Sequence, residues 1–214
     1  MNNRDPGLVL NDVDIKLHQR QLIAISHHVA PGTVLTIMGP SGSGKSSLLA
    51  YLSGFLDPVF VAHGEIILNG VSILDLPAHH RRLGILFQDP LLFPHMSVGE
   101  NLLFGIPASI KANRRKDLAE QALLEAGLEG FFDRDPATLS GGQKSRVALM
   151  RVLLSEPQAL LLDEPFSKLD TDRRSRMREL VFSKAKENNL PTILVTHDHA
   201  DADAADGPVI EIEG

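Results

Sequence analysis

Apolar residues along this chain follow two rhythms. Short continuous apolar runs fall at 32–38 (GTVLTIM), 82–88 (RLGILFQ), 159–165 (ALLLDEP) and 191–198 (PTILVTHD). Runs of that length bounded by turn residues predict strands buried on both faces. Between them, apolar positions recur at helical spacing in KSSLLAYLSG (45–54), SVGENLLFGI (97–106), RRKDLAEQALLEAGL (114–128), LSGGQKSRVALMRVLL (139–154) and TDRRSRMRELVFSKAKENN (171–189). Gly54 is placed to end the first helix and Pro157 to stop the fourth. GEIILNGVSI (64–73) alternates around Asn69-Gly70, an antiparallel hairpin signal, and PVIEIE (208–213) predicts a last short strand. Strand–helix alternation implies an α/β domain with a mostly parallel sheet and helices on both faces. The helical texture places an insertion at about 89–158, set in a core of about 1–88 and 139–214, all within one domain of residues 1–214.

Composition narrows the function classes. The 214 residues carry a formal charge of −6, which argues against a nucleic-acid partner. With no cysteine there are no disulfides or thiolate metal sites, as fits a reducing compartment. No apolar run approaches the ~20 residues that span a bilayer. The start, MNNRDPGLVLND, lacks a secretory layout, so a cytoplasmic chain is expected, with any membrane span supplied by another polypeptide.

Chemistry concentrates in a few stretches. Gly39-Pro40-Ser41-Gly42-Ser43-Gly44-Lys45-Ser46 satisfies G-x-x-x-x-G-K-[ST] between a predicted strand and a predicted helix, followed by Ser47. Backbone N–H groups of such a loop converge on phosphates, Lys45 meets the β- and γ-phosphates, and the Ser46 hydroxyl binds Mg²⁺. Asp163 and Glu164 fall just past a buried strand, at the carboxyl edge where ligands of such sheets bind. Asp163 is the candidate for orienting Mg²⁺, and Glu164 for polarising a water. Gln88 ends another strand within reach of either the metal or the water. His197 ends a third, where a neutral imidazole can hold the γ-phosphate. His197 and His199 bracket Asp198, but without a third ligand nearby they are not read as a metal site. Ser140 caps a second helix whose bare N–H groups attract anions, so one chain carries two phosphate-reading helix starts.

In order and spacing, these residues resemble the ATP-binding subunits of ABC transporters, from near the N-terminus to about residue 200. Within that family, GILFQDPLLF and DPATLSGGQKSRVALMRVLL are most similar to short bacterial YnjD-type subunits. The resemblance implies a P-loop NTPase core with an N-terminal antiparallel β subdomain and a helical insertion. It makes Gln88 the Q-loop residue, Ser140-Gly141-Gly142-Gln143 the signature, Asp170 of SKLD the D-loop residue and His197 the switch histidine. Glu164, His197 and Gln88 are then catalytic. Residues Gly39 to Ser47 bind nucleotide, and Ser46, Gln88 and Asp163 surround Mg²⁺. ATP and Mg²⁺ are the implied cofactors. The implied partners are membrane permease subunits, a second copy of the chain or a paralogous ATPase and, in importers, a solute-binding protein. The place implied is the cytoplasmic face of the inner membrane.

Two copies of such subunits meet head to tail, so Ser140 and the following amides read the γ-phosphate held by a partner, with Asp170 at the seam. Exposed apolar residues of 89–104 form the expected permease groove. A soluble ABC-type switch in DNA repair or translation is the alternative, disfavoured by the acidic charge. A small-molecule P-loop kinase would leave LSGGQ and SKLD unexplained.

Three departures stand out. The family stacks an N-terminal aromatic on adenine, yet the first aromatic here is Tyr51 and the only ring nearby is His18, so weaker base stacking is expected. Lys168 occupies a D-loop position usually held by a small residue, and is expected to be exposed. The chain ends soon after His197, so no regulatory domain is expected.

Overall fold

The computed structural model describes residues 6–212; the first five residues and Glu213 of the last predicted strand fall outside it. The strands in chain order are β1 (Leu8–Leu17), β2 (Arg20–Val29), β3 (Val34–Met38), β4 (Phe60–Leu68), β5 (Val71–Ser72), β6 (Leu83–Leu86), β7 (Ala159–Asp163), β8 (Thr192–Thr196) and β9 (Val209–Glu211). The helices are α1 (Lys45–Ser53), α2 (Val98–Gly105), α3 (Ala112–Glu125), α4 (Gly141–Leu153), α5 (Thr171–Glu187) and α6 (His199–Ala205). Contacts divide the chain into two units. The first comprises Met1–Leu83, Gln158–Glu164 and Phe182–Gly214, the second Gly84–Pro157 and Pro165–Val181.

In the first unit β7, β8, β3 and β9 lie side by side in that order, all parallel. Every residue of β3 and β8 is buried, which is why both read as unbroken apolar runs. Met38 pairs with Thr196, and Asp163 with Val195. That register brings the carboxyl ends of three strands to one edge, where the candidate residues begin.

An antiparallel sheet, ordered β2-β1-β4-β5, accompanies it in the same unit. Asn69-Gly70, with φ of 50° and 80°, turns β4 into β5 with Leu68 opposite Val71, as the hairpin signal predicts. β1 carries a bulge: its register slips between Leu10 and Val13 against β2 and between Asn11 and Asp14 against β4. Asp12 sits there at φ 46°, its N–H donating to the Ser26 hydroxyl at 2.9 Å. The inward set changes phase across the bulge, from Leu8 and Leu10 to Val13 and Ile15.

Helix α1 ends at Gly54, whose φ of 82° lets its N–H donate to Tyr51 O at 3.2 Å while Phe55 N–H donates to Ala50 O at 2.8 Å. A Cβ at Gly54 would also lie 3.0 Å from the Arg81 guanidinium carbon. Gly54→Ala is expected to cost about 1–2 kcal/mol, read as a lower urea midpoint with an unchanged slope.

The second unit has its own core, built from Val98, Leu102 and Ile106, Ala119 and Leu123, and Val147 and Met150. A capping box starts α2: the Glu100 N–H donates to Ser97 Oγ at 3.1 Å and the Ser97 N–H to Glu100 Oε2 at 2.7 Å. Buried Asn101 donates to the carbonyls of Phe93, Met96 and Ser97 and accepts from the Phe93 N–H, which fixes the loop before α2. Among the described residues no helix is long and apolar enough to cross a membrane.

Candidate active site

The loop between β3 and α1 is held open to a ligand by its glycines. Gly42 and Gly44 have φ of 84° and 95°, conformations that a side chain would strain. A Cβ at Gly44 would lie 2.8 Å from the Leu22 Cβ, so β2 packs directly on the loop backbone. Lys45 is 7% exposed and donates to the carbonyls of Gly39 and Pro40 at 2.6 and 2.7 Å. Burial pushes its pKa down, against the pull of Glu164 and Asp163. Ser43 is buried with no hydrogen-bond partner for its Oγ. Glycines in left-handed conformations, a desolvated ammonium and an unsatisfied hydroxyl suit a triphosphate.

The carboxylates stand at the end of β7, which is separated from β3 by β8. Burial raises the Asp163 pKa, the Glu164 charge adds to this, and Lys45 opposes it. A carboxylate so placed is one that a cation stabilises. Ser46 and Asp163 fit Mg²⁺, which binds through one or two protein oxygens and takes the rest from phosphates and water. Among the described residues no cluster of three or more His, Asp or Glu could hold an ion alone.

Glu164 follows with φ 45°, a left-handed conformation costly for a residue with a Cβ, held by its N–H donating to Val195 O at 2.9 Å. Its Oε1 lies 3.1 Å from His197 Nδ1. The two residues that the sequence assigns to water and γ-phosphate are therefore partners, and His197 keeps Nε2 for a ligand. Behind His197, Thr196 Oγ1 donates to the buried Asp201 and accepts from the Asp198 N–H, at 2.9 and 3.1 Å. Asp201 was not foreseen from the sequence; only its place one turn into a short helix could have marked it.

The remaining candidates belong to the second unit. Ser140 and Gln143 form a capping box on α4: the Ser140 N–H donates to Gln143 Oε1 at 2.8 Å and the Gln143 N–H to Ser140 Oγ at 3.4 Å. The position a Cβ would take at Gly141 is open, whereas at Gly142 it would lie 3.3 Å from Arg173 Cδ. Arg173 in turn pairs with Asp170 at 3.1 Å and donates its backbone N–H to the same carboxylate. Asp170 and the start of α4 thus share a neighbour that the sequence does not single out. Gln88 donates to Ser167 Oγ at 2.9 Å, and Lys168, exposed as expected, pairs with Asp89 at 2.5 Å. Both contacts tie residues 88–89 to residues 167–168.

In the first unit the phosphate loop opens into a cleft of about 480 Å³. Glu164 and residues from Ser41 to Ser47 line one part of it, and Leu17, Arg20, Leu22 and Phe60 line the rest. His18, the ring nearest in sequence, is not among the lining residues, whereas Phe60 is.

A glycine loop between a buried strand and a helix start, with acidic residues ending the next parallel strand but one, places the protein among the P-loop nucleoside triphosphatases. The profile of the ABC transporter family matches residues 22–167, and the chain belongs to that family as an ATP-binding, ATP-hydrolysing subunit. It is 47% identical to the ABC transporter ATP-binding protein YnjD of Escherichia coli K12, over 96% of this chain and 94% of that one. The thiamine import ATP-binding protein ThiQ of Aliivibrio fischeri is 42% identical over 89% of this chain and 81% of its own. The Fe(3+) ions import ATP-binding protein FbpC of Brucella abortus is 41% identical over 87% of this chain, which spans 52% of that longer protein.

Proposed function

We propose that two copies of this chain, or one copy and a paralogue, close head to tail on two ATP molecules and drive a separate membrane permease. The observation that carries this reading is the split of phosphate-reading groups. Lys45, Asp163, Glu164 and His197 belong to one unit, while Gly141 stands open at the start of α4 in the other. Each ATP lies on residues Gly39 to Ser47 of one copy. Ser140, Gly141, Gly142 and Gln143 of the other copy grip its γ-phosphate, with Asp170 at the seam.

Ser46 and Asp163 would hold Mg²⁺, which would supply positive charge against the phosphates, and Gln88 would serve the metal or the water. Glu164 accepts a proton from the attacking water, and His197 steadies the γ-phosphate while its Nδ1 holds the Glu164 carboxylate in place. Departure of the γ-phosphate removes what Ser140 grips, and the pair reopens.

Phe87, Leu91 and Phe104 are 44%, 58% and 63% exposed, a large apolar outlay that supports permease docking beside the Q-loop. Import, with a solute-binding protein on the far side, is the direction that the names of the thiamine and iron relatives support. The chain then works at the cytoplasmic face of the inner membrane.

Mixing two inactive variants tests the shared site. Lys45→Ala and Ser140→Arg are each expected to lower ATP turnover at least about a hundred-fold. Mixed, they recover activity, because one pocket per pair then has an intact cradle and an intact signature. A mixture as inactive as its parts, together with wild-type specific activity that stays flat on dilution, would rule the shared pocket out.

A further inference from the structure

The cleft beside the phosphate loop has a second end whose lining is set by strand register. Phe60 on β4 pairs with Leu17 on β1, and Leu17 pairs with Arg20 on β2. Directly paired residues of an antiparallel sheet share a face, and Leu22, left unpaired where the β1–β2 register slips between Gln21 and Ile23, is turned to the same cleft. These four side chains line the cleft together, and Leu22 also packs on Gly44 of the loop. Phe60 is the only ring among the lining residues, and it is half-buried. With the phosphates on the loop, a nucleotide of ordinary length reaches this sheet face with its base.

We propose that Phe60 and Arg20 hold the nucleobase in this chain, and that the cleft takes GTP alongside ATP. This rests on the reading of residues 39–46 as the phosphate cradle. The platform comes from β4, not from the strand where the family carries its aromatic, which explains how β1 and β2 dispense with one. Selectivity follows from the donors present. Leu17, Leu22 and Phe60 are apolar, and Arg20 donates only, so none of these four side chains accepts from the adenine amino group. The guanine O6 and N7 are both acceptors and suit a guanidinium. A site that stacks any base and offers its edge a single donor group discriminates weakly.

Calorimetric titration of the whole chain with Mg·ATP, Mg·GTP and inorganic tripolyphosphate tests this. ATP and GTP are expected to bind within about ten-fold of each other. Phe60→Ala, and Phe60→Leu with its apolar bulk retained, are expected to weaken both nucleotides roughly ten-fold and to leave tripolyphosphate unchanged. Arg20→Ala is expected to weaken GTP more than ATP. Rejection of GTP by more than a hundred-fold overturns the proposal. So does a Phe60 series with no loss, or one with equal loss for ATP and tripolyphosphate. Failure of the wild-type chain to bind tripolyphosphate at all would instead overturn the cradle reading itself.

Discussion

Glu164→Gln is expected to lower steady-state ATP turnover about a thousand-fold while ATP still binds. The substitution exchanges one oxygen for an amide nitrogen, so volume, the φ of 45° and the strain that goes with it are all retained. The amide can still meet His197 Nδ1, now 3.1 Å from Oε1, so the neighbourhood stays intact. What is lost is the negative charge and basicity of the carboxylate, which an amide oxygen does not supply. With hydrolysis blocked and the γ-phosphate in place, pairs of chains accumulate in the closed form. Phosphate release and size-exclusion elution with ATP measure the two halves of this outcome. Glu164→Asp separates position from chemistry: it keeps a carboxylate but withdraws it by one methylene from the His197 contact, and a loss approaching that of Gln means that placement matters as much as basicity. If Glu164→Gln turns over at near the wild-type rate, the base lies elsewhere.

What the sequence reveals of this site depends on how far apart the cooperating residues lie. The phosphate loop, Asp163-Glu164 and His197 are legible because each sits within a few residues of a strand end and carries its own local pattern. The sheet register that aligns Met38 with Thr196 is not legible in the same way, because every residue of both strands is buried and no alternation marks it. The β1–β2 hairpin is harder to read. Its alternation changes phase at Asp12, so a period-two scan across residues 8–17 finds two half-patterns and no strand. Phe60 is harder still: its place beside the loop comes from pairing with Leu17, more than forty residues away, across that same irregular strand. Arg173 over Gly142 and Asp201 under Thr196 are likewise tertiary facts, in which an ordinary helix residue gains meaning from what it packs against. Lys168 shows the converse case. A local departure from the family pattern marks it in the sequence, and only the structure supplies Asp89 as its partner.

Arg81→Ala is expected to destabilise the chain by about 3–4 kcal/mol, a large share of the stability of a protein this size. In the sequence Arg81 and Arg82 look alike, a basic pair before a strand. In the structure Arg81 is 7% exposed and its guanidinium donates to four carbonyls: Leu76 at 2.9 Å, Tyr51 at 2.8 Å, and Leu52 and Leu74 at 2.7 Å. Tyr51 and Leu52 lie in the last turn of α1, where carbonyls lack helical partners and the helix dipole favours a cation. Removing the guanidinium takes that donor from the Leu52, Leu74 and Leu76 oxygens and leaves Tyr51 O with the Gly54 N–H, and orphaned carbonyls cost more than the bonds themselves contribute. Arg81→Lys keeps the charge but presents three donors from one nitrogen, not a planar fork, so it recovers at most about half of the loss. Urea midpoints at a constant slope measure both variants, and a deficit under about 1 kcal/mol for Arg81→Ala would show that water replaces the guanidinium. Because α1 opens at the phosphate loop and closes on Arg81, ATP can report whether the two ends are coupled. Saturating ATP stabilises any variant by an amount set only by its affinity. An equal increment in wild type and Arg81→Lys therefore means that the cradle keeps its geometry while the far end of the helix loosens.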